Sequence, residues 1–395
     1  MKPQEIRKDV YFLGVPHWER RLFDSLIPLP DGTSYNAYLV KGKNLTILID
    51  TVEPAVAKYL FQQLEMLRVD RIDYIVSQHT EQDHSGSIPM MLEKYPEATV
   101  LCSKKAFELL KIHLNLPEER LRVVEDGEIF DIGGKTLRFI YTPWVHWPET
   151  MCTYLEEERL LFTCDFFGSH LATYSVYASE DERTELAAKR YYAEIMAPFR
   201  SPIRNNLKKL DEIEIEMICP SHGPIHDVPA RILDLYRTWS GDSLDNLTSV
   251  FYVSMHGSTV EAVDYLCDAL VKRGVKVKRY DLVVSDLGEI AMALVDSASL
   301  VVAAPTVLNG LHPLAVEVVY LADRLRAKAK GLGAIISYGW GSMAQEQLKT
   351  LMPGFKEKWM RVITFRGFPS EDTFREVEEL ANEIACLHEQ LRIKL

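Results

Sequence analysis

Over roughly the first 240 residues, apolar positions come in short runs closed by polar loops. Residues 35–40 and 45–49 are apolar-rich, and Lys41-Gly42-Lys43-Asn44 between them predicts a hairpin. Residues 56–67 carry apolar side chains at helical spacing. Residues 72–76 then read as a short buried strand ending at Ser77-Gln78-His79. Residues 137–141 and 159–163 read as further strands, each stopping just before polar residues. Such strands supply rigidity while the loops at their ends carry chemistry.

The pattern changes after Thr238-Trp239-Ser240-Gly241-Asp242-Ser243, a stretch that is small and polar apart from the tryptophan. Beyond it, strands at 249–253, 275–280, 299–303, 333–337 and 359–365 alternate with helices at 259–273, 287–295, 313–327, 341–351 and 371–394. Five strands separated by helices predict a doubly wound parallel α/β domain. The expected division is residues 1–245 and 246–395. A chain of 395 residues with 47% hydrophobic and 26% charged positions fits two or three ordinary globular domains.

Charge and cysteines narrow the function classes. Lys plus Arg is 45 against 57 Asp plus Glu, a formal net charge of −12. No basic stripe interleaved with aromatics stands out, which argues against nucleic acid or an anionic membrane as partner. No apolar run approaches the roughly 18 residues of a membrane span. Met1-Lys2-Pro3-Gln4-Glu5 leads into no apolar signal region. Cys102, Cys152, Cys164, Cys219, Cys267 and Cys386 are scattered without a CxxC, so buried reduced thiols in a cytoplasmic protein are expected. That spacing argues against a cysteine-held iron–sulfur or rubredoxin-type centre.

His79-Thr80-Glu81-Gln82-Asp83-His84 places four capable ligands in six residues, directly after a buried strand. In an extended segment His79, Glu81 and Asp83 would face one site, and His84 would join if the chain turned at Ser85-Gly86. Later strand ends offer His146 in Pro143-Trp144-Val145-His146-Trp147-Pro148-Glu149-Thr150, Asp165 after Cys164, and His222 in Ser221-His222-Gly223-Pro224. Seven groups are too many for one small cation but suit two metals if one carboxylate bridges.

In the second half, Ser254-Met255-His256-Gly257-Ser258-Thr259 lies between a strand and a helix N-terminus, with hydroxyls, a glycine and free N–H groups that suit a phosphate monoester. It lacks GxGxxG and GxxxxGKS, which disfavours dinucleotides and nucleoside triphosphates. Ala304-Pro305-Thr306-Val307-Leu308-Asn309-Gly310 and Ser337-Tyr338-Gly339-Trp340-Gly341-Ser342 follow the third and fourth strands. In a doubly wound sheet such loops meet at the carboxyl edge, where ligands bind. Trp340 or Tyr338 could cover a ring face.

The first half resembles the metallo-β-lactamase fold superfamily, an αββα sandwich. Most of its hydrolases carry His-x-His-x-Asp-His, and here Glu81 stands at the second histidine. Four neutral histidines with Glu81, Asp83 and Asp165 give −3, so two ferrous ions and one bridging hydroxide would leave the site neutral. Carboxylate-rich N/O ligation favours iron, whereas the all-histidine version suits zinc. Residues 249–390 resemble flavodoxin, whose cofactor is FMN. Together the halves resemble the flavodiiron proteins, reductases of dioxygen and nitric oxide. The resemblance implies that His79, Glu81 and His146 hold one iron, that Asp83, His84 and His222 hold the other, and that Asp165 bridges. It further implies a head-to-tail homodimer, or a dimer of dimers, in which the partner's FMN lies beside the iron pair. With nothing after the flavodoxin-like part, the two-domain class is expected, with electrons from a separate donor such as rubredoxin or a reduced deazaflavin. His170 is a candidate proton donor and Trp147 a candidate for packing between irons and flavin. Tyr192 could bond a bound intermediate, and His226 matches no required ligand. Two rivals stay open: a dizinc hydrolase of an ester, thioester or β-lactam with a flavodoxin-like appendage, and a non-catalytic electron-transfer or interaction module.

Overall fold

The computed structural model describes residues 1–392. The chain folds as two compact units, Met1–Ser240 and a second beginning at Gly241. The expected boundary stretch is partly helical: residues 238–240 form the last turn of Pro229–Ser240. Trp239 is buried there against Tyr192 and Tyr236. A large aromatic with partners on neighbouring elements outweighs the loop-like composition around it.

The first unit stacks a seven-stranded and a five-stranded sheet. Side chains alternate along the strands. Phe12, Tyr38, Val40 and Ile49 face Leu137, Phe139, Leu160 and Phe162 of the second sheet. Leu13, Val15, Leu39 and Leu48 instead meet Leu60, Leu64, Ala106 and Leu110 of the helices Ala57–Met66 and Lys104–Leu114. With helices on the outside, this is the αββα sandwich the resemblance implied.

This architecture gathers the ligand-bearing loops. Thr46–Ile49, Tyr74–Ser77 and Thr99–Cys102 run parallel, so the chain leaves Ser77 at one edge of the seven-stranded sheet. Leu160–Cys164 and Met217–Pro220 also run parallel, with Phe162 opposite Cys219, which brings Asp165 and His222 out side by side. The connection from Thr136–Tyr141 to Met151–Leu155 carries His146, and a bond from Met151 N–H to the Gln78 carbonyl (3.1 Å) ties that loop to the first sheet.

The second unit has five parallel strands in the order Lys276–Asp281, Asp245–Tyr252, Ser297–Val307, Gly331–Tyr338, Trp359–Arg366. In chain order this is 2-1-3-4-5, the flavodoxin-like arrangement. The expected loop at 304–310 is largely strand. Pro305, Thr306 and Val307 belong to Ser297–Val307, and Gly310–Leu311 pairs back on it antiparallel, leaving a tight turn at Leu308-Asn309. The closing helix is Glu371–Gln390, and residues 393–394 of the expected helix lie outside the described residues. Of the cysteines, Cys267 is only half-buried and Cys386 is exposed, so the expectation of burial fails at those two.

Candidate functional site

The cluster at residues 79–84 is not an extended segment. Gln82–Ser85 is one helical turn, closed by His84 N–H and Ser85 N–H on the Glu81 carbonyl (3.1 and 2.9 Å). The strand-like alternation expected for His79, Glu81 and Asp83 therefore gives way. Glu81 stays with His79, while Asp83 and His84, about 100° apart on a turn, serve a second position.

Two donor groups result. In the first, His79 Nε2 and His146 Nε2 lie 3.2 and 3.1 Å from Glu81 Oε2 and 3.3 and 3.2 Å from Asp165 Oδ2. In the second, Asp83 reaches both histidines, with Oδ1 3.3 Å from His84 Nε2 and Oδ2 3.2 Å from His222 Nε2. Asp165 Oδ1 lies 2.9 and 3.4 Å from the same two nitrogens. Asp165 thus turns one carboxylate oxygen to each group, and both groups have metal-ligating spacing.

The residues fit cations. Asp83 Oδ1 and Oδ2, Asp165 Oδ1 and His84 Nε2 are buried without an aligned hydrogen bond. Lone-pair donors facing one another in this way are costly to bury unless a positive centre lies between them. Titration behaviour carries the same demand for positive charge. Burial disfavours a charged His222, yet the adjacent carboxylates of Asp165 and Asp83 lift it to about 10. Burial likewise opposes a charged His146, which Asp165 and Glu81 lift to about 9. For Asp165, burial is outweighed by the surrounding imidazoles of His84, His146 and His222, which hold its carboxyl well below the usual range.

Behind the ligands, His79 Nδ1 bonds Glu149 Oε1 (2.7 Å), and His222 Nδ1 bonds the Ser34 carbonyl (2.7 Å). Both contacts direct Nε2 inward. Gly223 has φ 77, and a Cβ there would collide with Ser169, so the turn after His222 admits only glycine comfortably.

The weaker candidates separate. His170 bonds Thr33 Oγ1 through Nδ1 (2.9 Å), and its ring stands 4.8 Å from that of His222. Burial holds its imidazole well below the ordinary value, and Nε2 is buried without a partner. His170 is therefore a neutral ring beside the cluster. Trp147 packs edge-on to His79 with centroids 5.0 Å apart, and also against His113. Tyr192 packs on Tyr236 and Trp239, while its neighbour Tyr191 faces His170 and His222. His226 Nε2 bonds the Phe167 carbonyl (2.9 Å), outside both donor groups. Sequence reasoning missed Tyr191, Phe23, which packs on His170 and His222, and the role of Glu149 behind His79. Glu149 stands in the His146 motif, but nothing in the sequence shows it reaching His79.

In the second unit, Ser254 to Thr259 and Ser337 to Gly341 meet at the carboxyl edge of the sheet, joined by Thr259 Oγ1 to Ser337 Oγ (2.9 Å). Ser254 Oγ accepts from Val260 N–H (3.3 Å). Gly257 has φ 87 with open space where a Cβ would stand, just ahead of the helix Ser258–Lys272. Met255 and His256 complete this exposed loop. Thr306 Oγ1 bonds Ser342 Oγ (2.7 Å), and Met343 N–H donates to the Asn309 carbonyl (2.7 Å), linking the other two segments. Trp340 is 93% exposed and Leu308 97% exposed.

Comparison with known proteins agrees with both halves. The profile described as "ODP family beta lactamase" matches residues 33–223. A nitric oxide reductase of Moorella thermoacetica is 34% identical over 398 residues, covering 98% of either chain. The rubredoxin oxygen:oxidoreductase of Desulfovibrio gigas superimposes with a TM-score of 0.94 at 26% identity, over 99% of this chain and 100% of that one. The flavodiiron protein of Giardia intestinalis gives 0.92 at 28% identity, over 99% and 97%. Matched over nearly its whole length by relatives of this kind, this chain belongs to the flavodiiron protein family.

Proposed function

We propose that the chain is an oxidoreductase that takes electrons from an external donor through FMN to a non-haem iron pair, where it reduces dioxygen to water, nitric oxide to nitrous oxide, or both. The observation that carries this reading is Asp165, whose two oxygens serve two carboxylate-containing donor groups. His79, Glu81 and His146 would hold one iron, and Asp83, His84 and His222 the other. The Glu81 carboxylate favours iron over the zinc of a hydrolase, and a hydrolase has no use for a flavin. When bound, iron would supply electrons and a Lewis-acid centre for a small gas molecule, and FMN would convert two-electron supply into single-electron delivery.

The residues around these groups position and exclude. Glu149 and the Ser34 carbonyl set the orientation of His79 and His222. Phe23, Tyr191 and the neutral His170 pack on the His222 side, and these mostly apolar surroundings suit a small uncharged gas. His170 Nε2 is buried there without a hydrogen-bond partner, as is the Tyr35 hydroxyl, and His170 would be the group to hold or pass a proton. In the flavin unit, Ser254 to Thr259 would hold the phosphate at the helix N-terminus. Pro305, Thr306, Val307, Leu308, Asn309 and Gly310, with Ser337, Tyr338, Gly339, Trp340 and Gly341, would frame the ring.

Assembly follows from the same chemistry. Leu308, at φ 49, and Trp340 are apolar tips on the flavin loops. Such exposure supports a head-to-tail dimer that covers them and brings one subunit's flavin to the other's irons. Rubredoxin or a reduced deazaflavin is the proposed donor. Among the described residues no helix is long and apolar enough to cross a membrane, and the unpaired cysteines support a reducing compartment such as the cytoplasm. The test is metal and flavin content of anaerobically prepared protein, followed by parallel O2 and NO consumption with a chemical reductant. About two Fe and one FMN per chain with turnover of either gas supports the proposal. Two Zn that iron cannot replace, without turnover, would sink it.

A further inference from the structure

We propose that Glu149 is a positioning residue that makes the two irons unequal, so that the iron held by His79, Glu81 and His146 has the lower reduction potential. This inference rests on the diiron reading above. Glu149 is 2% exposed, and its Oε1 accepts from His79 Nδ1 (2.7 Å), Thr80 N–H (3.1 Å) and the Thr80 hydroxyl (2.7 Å). Its backbone carbonyl accepts from Ser103 Oγ (2.6 Å), the side chain that caps the helix Lys104–Leu114, so the residue is held at its backbone as well as its carboxylate.

Among the described residues, no carboxylate hydrogen-bonds an imidazole Nδ1 of the second donor group; Asp50 is buried near His84, but its oxygens accept from Gln78 and Ser221. His222 Nδ1 meets a neutral carbonyl, that of Ser34, and His84 Nδ1 is buried without a hydrogen-bond partner. An anion behind an imidazole draws its N–H proton outward and makes the opposite nitrogen a stronger donor to metal. This favours the ferric state at the His79 position and leaves the His222 position the easier to reduce. In the half-reduced protein the ferric ion therefore sits with His79, and the ferrous ion with Asp83, His84 and His222.

Two variants of the full-length holoprotein test this with opposite expected signs. E149Q keeps the shape and removes the charge, so the lower of the two iron potentials rises. About tenfold in that one-electron equilibrium corresponds to about 59 mV. The gap narrows, and the half-reduced EPR signal reaches a smaller maximum. T80V removes one donor from Glu149, leaves the carboxylate more basic toward His79, and lowers the same potential. The measurement is an EPR-monitored redox titration of wild type and both variants, with iron content determined on each. Movement of the lower potential up in E149Q and down in T80V supports the inference. Unchanged potentials, a shift in the same direction in both, or movement of the higher potential alone overturns it. If E149Q loses its iron, T80V decides: no downward shift overturns the inference. Wild type without two bound irons would instead overturn the diiron reading itself.

Discussion

The two units build their sites from different materials. In the first unit, the site consists of side chains whose partners are one another, all buried but the partly buried His146: Asp165, Asp83, Glu81 and four histidines, with Glu149 behind His79. In the second, it consists of exposed backbone at strand ends, tied by a few hydroxyl pairs such as Thr259 with Ser337 and Thr306 with Ser342. The first is therefore sensitive to residue identity, and the second to backbone conformation. Substitutions should separate the two, each removing one group while sparing the other.

Asp165→Ala should have the largest effect, because it removes a ligand from both donor groups at once. Iron is expected to fall from about two per chain to nearly none while FMN stays bound, as read by metal analysis and flavin absorbance. His146→Asn touches one group only. It should lower iron content and gas turnover, again with FMN retained, and unchanged iron and turnover would remove His146 from the ligand set. Gly257→Val tests the opposite case. A β-branched residue at φ 87 costs about 1–2 kcal/mol, so flavin binding should weaken about tenfold while iron content is unchanged.

The smallest expected effect is on stability in acid. His388 is fully buried between Ser299 and Asn246, and burial pushes its imidazole down to about 4. The unfolded chain takes up the proton near pH 6.5 and the folded unit only near 4. Its contribution is therefore complete above pH 6.5 and is lost as the pH falls toward 4. Urea denaturation followed by flavin fluorescence should show this slope in wild type and a flatter one in His388→Gln.

The same contrast governs what could be read from sequence. The clustered donor residues were legible because residue types carry them: four in six positions at 79–84, and His146, Asp165 and His222 each beyond a strand end. The flavin unit was legible through its strand–helix alternation. Local backbone turns were not. The helical turn Gln82–Ser85 occupies a segment whose spacing also fits an extended strand, and only the Glu81 carbonyl bonds decide between them. Tyr191 rather than Tyr192 faces His170 because Thr184–Tyr191 runs into the π-helical stretch Tyr192–Met196, and one residue of register turns a side chain by about 100°. Glu149 lies 70 positions from His79, and a contact at that separation leaves no periodic signature.

Asp165 also bears on how the protein acquires its metals. A cation that settles against Oδ2 fixes the plane of the carboxylate, which spares the second cation the entropy of ordering Oδ1. It also neutralises part of the charge that His84 and His222 would otherwise offset by binding protons. The first effect helps the second ion to bind and the second, through metal–metal repulsion, opposes it. Loading of the two positions is therefore coupled through Asp165, and a metal titration that resolves singly from doubly loaded chains reads the sign of that coupling.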